Sequence, residues 1–436
     1  MKKLALALIT LAAAASSQAV DLKSVFEQAV VNDPQLAAEL ANANANVQSI
    51  GLARVGVLPQ VAFKAEVGRS NLGFGVASID GPSSDRNSYN VQFKQALFGA
   101  EAWYSYKAAS ATTDGALIEL RKAEQNLVIR LSEDYFDVLR ANSTLAAAKA
   151  NEAAVKRQLE QTRQRFKVGL IAITEVHEAQ AIYDGATVEL IAAESQLDIA
   201  YETLAVLTGE RYDRINPLKE TLPLLGPVPA DRAHWEQKAL AQNLDVLIAQ
   251  QARTSAELNH KAKVAAHMPT MNLVASYGVS HDDNPGSLSA GRHLTTQYVG
   301  LEVDLPIYLG GSQRAGQKQA YYQRQAAERQ LELQQRVASL SVRSQFRQLI
   351  ADMARVKARK QAMTSAKSAM EATQTGYEVG TRNIVEVLKA QQSVFSAQKN
   401  YAFSRYDYVI DMLKFRQAVG ELSMGDIEEV NGWLQN

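Results

Sequence analysis

The sequence predicts a mixed α and β membrane protein with an internal duplication, in which long coiled-coil-like helices alternate with strands of membrane-crossing length. Three observations carry this. Two stretches of more than 120 residues lack proline, four short segments alternate apolar and polar residues with period two, and the second half of the chain repeats the first at an offset of about 211 residues.

The N-terminus reads as a signal peptide over residues 1–19. Lys2 and Lys3 precede an apolar run from Leu4 to Ala15, and Ser17 and Ala19 stand at the minus-three and minus-one positions of a cleavage site before Val20. The apolar core is shorter than the ~20 residues of a spanning helix, which argues against a membrane anchor. The chain has no cysteine, so disulfides, thiolate metal sites and thioether-linked lipids are all excluded. Its 46 basic and 46 acidic residues balance, leaving no field that would attract nucleic acid. After the signal no apolar run is long enough for a membrane helix, so a bilayer crossing requires a closed β-barrel.

No proline lies between Pro82 and Pro217 or after Pro306, and both stretches are rich in Ala, Gln, Glu, Lys and Arg. Val342, Leu349, Val356, Met363, Met370 and Tyr377 recur every seven residues, with Phe346 and Met353 between them. Leu131, Val138, Leu145, Leu159 and Phe166 form the same seam in the first half, interrupted at Glu152. A helix from Ala100 to Phe166 would be about 100 Å long, more than a globular core requires.

The two halves correspond residue by residue. Val168, Gly169, Ile173, Glu175, Val176, Ala179, Gln180 and Ala186 match Val379, Gly380, Ile384, Glu386, Val387, Ala390, Gln391 and Ala397, and Gly209 and Glu210 match Gly420 and Glu421. Nearer the start of each half the offset is 210, pairing Pro59 with Pro269, Ala65 with Ala275 and Gly68 with Gly278. The expected organisation is a first repeat over 20–209, a Pro-rich linker over 210–235, a second repeat over 236–420 and a C-terminal segment over 421–436. Each repeat should run helix, strand hairpin, long helices, with hairpins at about 59–98 and 269–307 and long helices at about 100–207 and 312–418.

In the hairpins, Val61, Phe63, Ala65 and Val67 alternate with Lys64 and Glu66, and Tyr89, Val91 and Phe93 with Asn90, Gln92 and Lys94. Met271, Leu273, Ala275 and Tyr277, then Val299, Leu301, Val303 and Leu305, repeat the pattern. Strands of roughly ten residues suit an outer membrane. Four cannot close a barrel, whereas three chains pooling their strands make twelve. The connections around Gly73–Asn87 and His281–Thr296 would face the exterior, and Trp103, Tyr104 and Tyr106 are candidates for an aromatic belt or for plain helix packing.

The stretches RFKVGLIAITEVHEAQAIYD (Arg165–Asp184), TGYEVGTRNIVEVLKAQ (Thr375–Gln391) and DLPIYLGG (Asp304–Gly311) resemble the TolC-type outer-membrane efflux and secretion channels, over essentially the whole mature chain. The resemblance implies a homotrimer in the cell outer membrane, with a twelve-stranded β-barrel continuous with an α-helical barrel reaching into the periplasm. A smaller mixed region partway along the helices would be built from Thr208–Trp235 and the tail after Gly420. It implies a passive exit duct for multidrug efflux or type I protein secretion, not an enzyme and without a cofactor. The duct would be served by a periplasmic adaptor and an inner-membrane RND or ABC transporter, and would open when helices untwist at its periplasmic end.

By the same resemblance Thr174, Glu175, Tyr377 and Arg382 form the closing latch, and Glu386 lines the pore constriction. The family's second acidic constriction position is Lys389 here. Its i, i+3 spacing allows it to pair with Glu386 and weaken a cation-attracting ring. His260 and His267, seven apart, lack a third ligand. His281, Asp282, Asp283 and His293 lie in an expected external loop without a recognised metal spacing. A surface adhesin of coiled-coil type and a periplasmic adaptor are the other functional classes with long helices, and the four alternating strands count against both.

Overall fold

The computed structural model describes residues 19–73, 80–282 and 292–435; all but the last residue of the expected signal peptide, and the connections at 74–79 and 283–291, lie outside them. The elements follow in the order α1 (Leu22–Asn32), α2 (Pro34–Arg54), β1 (Gln60–Gly73), β2 (Asp80–Phe98), α3 (Ala100–Lys167) and α4 (Ile173–Thr208). After a Pro-rich segment come α5 (Arg232–Gln242), α6 (Leu244–Ala265), β3 (Thr270–Asp282), β4 (Arg292–Asp304), α7 (Ser312–Glu378), α8 (Ile384–Val419) and α9 (Met424–Asn431).

The duplication extends to the helix caps. Asp21 accepts from the Ser24 amide at 3.0 Å to begin α1, and Asp231, 210 residues later, accepts from the Ala233 amide at 2.9 Å to begin α5. Asp33 accepts from the Gln35 and Leu36 amides, and Asn243 from those of Asp245 and Val246, so the same position breaks the helix in each repeat. Short polar side chains compete with the helical backbone for these amides, which is why the break falls there.

Contacts divide the chain into two units: one of residues up to Leu40, Leu120–Val246 and Gln335 onward, the other of Ala41–Glu119 and Leu247–Gln334. The second unit holds an antiparallel sheet in the order β1-β2-β3-β4. Its register sets Val61 opposite Phe93, Phe63 opposite Val91, Val91 opposite Tyr277, and Leu273 opposite Leu301. One face is therefore apolar across all four strands, and the other carries Lys64, Asn90, Gln92, Ser276 and Glu302. The apolar face is uncovered within the chain, with Val61 71 % and Val299 76 % exposed. At 13 to 19 residues the strands are longer than the apolar pattern suggested. The ladder continues through polar pairs such as Arg69 and Asp85, which form a two-pronged ion pair at 2.6 and 2.9 Å, so much of the expected loop at Gly73–Asn87 is strand. Helices of this unit meet through small residues: Ala108, Ala111, Ala116, Ala262 and Ala320 are buried, and the Thr112 and Ser255 hydroxyls are hydrogen-bonded at 2.9 Å.

In the first unit the heptad seam is core at Leu131, Val138, Val342, Phe346, Leu349 and Val356, joined by Tyr135, Phe136, Tyr408 and Leu413. The segment from Gly209 and the C-terminal tail are tied in by backbone pairing. Val20 bridges Ile215, Leu218 bridges Leu434, and the Lys219 amide donates to Trp433 O at 2.9 Å. Tyr408 receives the Leu225 amide at 2.8 Å, while the Trp235 indole donates to Pro229 O and stands edge-on to Phe415. α8 thus has partners along its inner face in the Pro-rich segment.

A buried acid interrupts this core. Asp352 on α7 is wholly buried, and its Oδ1 accepts from Arg355 at 2.6 Å. Its Oδ2 has no donor among the described residues, and it adjoins the Asp411 carboxyl of α8, with which only a shared proton can make a hydrogen bond. Burial, then Asp411, pushes the Asp352 carboxyl up to about 7, while Arg355 opposes and Asp407 adds to the rise.

Two predictions follow from this packing. Between pH 4 and 7, roughly, the native state holds a proton on Asp352 that the unfolded chain has released, so stability falls as pH rises through that window. Asp352→Asn should therefore raise the guanidinium or thermal midpoint at pH 8 and change it far less at pH 4; an equal shift at both would refute the assignment. The second concerns the glycines that end α4 and α8. Gly209 (φ +74°) is 3.8 Å from its nearest neighbour for an added Cβ, whereas Gly420 (φ +92°) would place it 2.3 Å from the Gln242 carbonyl oxygen. Gly209→Ala should cost about 1 kcal/mol and Gly420→Ala about 3 kcal/mol or more, read from the same midpoints.

Candidate functional site: the paired helix turns

The residues expected to form the latch and the constriction cluster at two five-residue turns, α3 to α4 and α7 to α8. The turns are copies. The Leu170 amide donates to Arg165 O at 3.0 Å and the Thr381 amide to Gly376 O at 2.8 Å, and Gly169 (φ +78°) and Gly380 (φ +82°) supply the left-handed step each closure needs. An added Cβ at Gly376 would lie 2.8 Å from Arg382 Cγ, so its lack of a side chain lets Arg382 fold back over the turn.

Their side chains are not copies. In the second turn Asn383 caps α8 through the Glu386 amide at 2.9 Å, and Arg382 donates to Glu386 Oε2 at 2.6 Å. The hydrogen-bonded Arg382 guanidinium holds the Glu386 carboxyl below its ordinary range, aided by the cap amide and by Lys389. In the first turn the matching positions are Ile171 and Ala172, which provide neither a cation nor a capping oxygen. Tyr377 is packed with Val155, Ile384, Val387 and Leu388, and the Arg165 guanidinium lies 4.7 Å from its ring centroid. Phe166, its counterpart, is 40 % exposed against 8 % for Tyr377.

The sequence suggested Lys389 as the partner of Glu386; the structure gives Glu386 to Arg382. An i, i+4 arginine just before the helix reaches the first-turn carboxylate, while exposed Lys389 makes no ion pair among the described residues. No hydrogen bond or ion pair among the described residues joins exposed Thr174 or half-buried Glu175 to Tyr377 or Arg382, and the Tyr377 hydroxyl is buried without a partner. The role of Arg165 against Tyr377 escaped the sequence reading, because cation–π geometry between helices carries no spacing signal.

Elsewhere, His260 packs edge-on to Tyr321, and the His267 ring donates from Nδ1 to Val264 O at 3.3 Å. Trp103 and Tyr106 stack in the first turns of α3, with Lys107 over Trp103 and Arg54 over Tyr106. Among the described residues no helix is long and apolar enough to cross a membrane.

Duplicated helical turns joined to a duplicated strand hairpin find their match in known sequences. Residues 25–210 and 235–421 each match the family described as OEP, Outer membrane efflux protein. The chain belongs to the outer membrane efflux protein family. Among its relatives is the outer membrane protein TolC of Vibrio cholerae serotype O1, 34 % identical over all of this chain and 99 % of the relative. The alkaline protease secretion protein AprF of Pseudomonas aeruginosa is 25 % identical over 94 % of this chain and 87 % of its own. The fold is that of solved outer membrane efflux proteins. The CmeC outer membrane channel of Campylobacter jejuni has a TM-score of 0.78 at 16 % identity, covering 95 % of this chain and 90 % of that one. VceC of Vibrio cholerae has 0.76 at 19 %, covering 92 % and 96 %. Family membership makes this an outer-membrane channel and not an enzyme.

The isolated hydroxyl of Tyr377 gives a direct check on its role within one chain. In the isolated chain Tyr377→Phe should leave the unfolding free energy equal to or above that of wild type, since no intrachain bond is lost and a buried hydroxyl is removed. Tyr377→Ala, which empties the cluster around Ile384 and removes the ring beneath Arg165, should cost about 3 kcal/mol.

Proposed function

We propose that three copies of this chain form an outer-membrane exit duct for multidrug efflux or type I protein secretion, closed at its periplasmic end by the paired helix turns. The single observation that carries this reading is the sheet: four antiparallel strands with one uncovered apolar face and two edges, β1 and β4, unpaired within the chain. Twelve strands from three chains satisfy both edges, with the apolar face toward lipid. α3, of 68 residues and so about 100 Å long, begins two residues after β2 and ends at a turn, as a helix reaching into the periplasm would.

A trimer presents six turns around its axis, three of each kind. Thr174, Glu175, Tyr377 and Arg382 then act between turns, and the unpartnered Tyr377 hydroxyl finds its acceptor there. Glu386 faces the pore with Lys389 one turn beyond it, so each acid is accompanied by two cations, Arg382 and Lys389. This moderates the attraction of the ring for cations. Opening untwists these helices on engagement of a periplasmic adaptor and an inner-membrane RND or ABC transporter. The duct itself consumes no nucleotide.

The test is single-channel current of the purified protein in a planar bilayer. Wild type should show a small conductance. Arg382→Ser should raise the open fraction severalfold and admit bulky drugs to cells, and Lys389→Asp should increase preference for cations. Unchanged conductance in Arg382→Ser would remove the latch assignment, and a membrane-inserted trimer without any channel would favour the adhesive class.

A further inference from the structure

The β3–β4 hairpin holds a feature that transport does not use. His281 and His293, separated by eleven residues of sequence, are directly opposite each other in the ladder, and their ring centroids are 4.6 Å apart with planes inclined by 31°. Directly opposed residues on antiparallel strands project from the same face with Cβ atoms about 5 Å apart, so the shared direction of these rings is set by the backbone. His293 is exposed and His281 half-buried, at the last rungs before the connection at 283–291.

We infer that His281 and His293 form a two-point chelate for a divalent first-row transition ion, Cu2+, Ni2+ or Zn2+, which cross-links β3 to β4 near the hairpin tip. Two imidazole nitrogens bound to one ion by bonds of about 2.0–2.1 Å must be about 3 Å apart, a separation that rings at 4.6 Å reach by rotating about χ2. Neutral imidazole suits these ions, whereas Mg2+ and Ca2+ prefer oxygen ligands. Among the described residues no third His, Cys, Asp or Glu completes a cluster with the pair. The ion is exchangeable, and its binding favours the paired state of the two strands by linkage.

The probe is Zn2+ or Ni2+ alone, titrated calorimetrically into the tag-free, full-length protein in detergent. Wild type should bind one ion per chain at this pair, and His281→Asn or His293→Asn should each weaken that binding by about tenfold or more, because loss of either ring destroys the chelate. His267→Asn should leave it unchanged. Binding should weaken as the solution is acidified and protons compete for the ring nitrogens, and added Ca2+ should not displace Zn2+. Zn2+ should also raise the unfolding midpoint of wild type and not of the double variant. Equal Zn2+ affinity in wild type and the double variant, or a stoichiometric site that moves with His267→Asn instead, would overturn the inference. None of these readouts depends on channel opening.

Discussion

Among the described residues the backbone N–H and C=O groups along the outer edges of β1 and β4 have no ladder partner, and that deficit bears on the rest of the molecule. In hydrocarbon each unsatisfied group costs several kcal/mol, so a sheet with an outward apolar face is viable there only when its edges are closed by other strands. On the proposed reading a single chain is a sector of a larger object. The alternation of Phe63 and Val91 against Lys64 and Asn90 gives the sheet one apolar and one polar face within a single chain.

Duplication supplies the geometry and divergence supplies the chemistry. The caps at Asp21 and Asp231, the helix breaks at Asp33 and Asn243, and the glycine turns at Gly169 and Gly380 are the same devices used twice. Against that common frame the second turn alone carries the Arg382–Glu386 pair, the Asn383 cap and a buried tyrosine. Two copies of one backbone thus become unlike, and a ring built from them alternates a charged turn with an apolar one. The Arg382–Glu386 pair within the second turn is exposed, as are most surface ion pairs of modest strength.

The seam and the strands were legible because burial follows period seven in the helices and period two in the sheet. Val342, Leu349 and Val356 are core as the repeat requires, and so are Leu131 and Val138. The interruption at Glu152 is covered locally by Val155, which reaches the cluster around Tyr377. Strand ends were less legible, because Arg69 and Asp85 pair in the ladder without an apolar pattern to mark them.

What the sequence by itself determined is local and periodic: the cap and turn residues, the two-faced strands, the long helices and their duplication. Each follows from spacing along one element, where the geometry of the backbone converts residue number into direction. Only the tertiary structure decided which groups meet across elements. It gave Glu386 to Arg382 in place of Lys389, set Asp352 beside Asp411, laid Arg165 on Tyr377 and brought His281 opposite His293. Such encounters depend on register and on the packing of one element against another, and neither leaves a period in the chain.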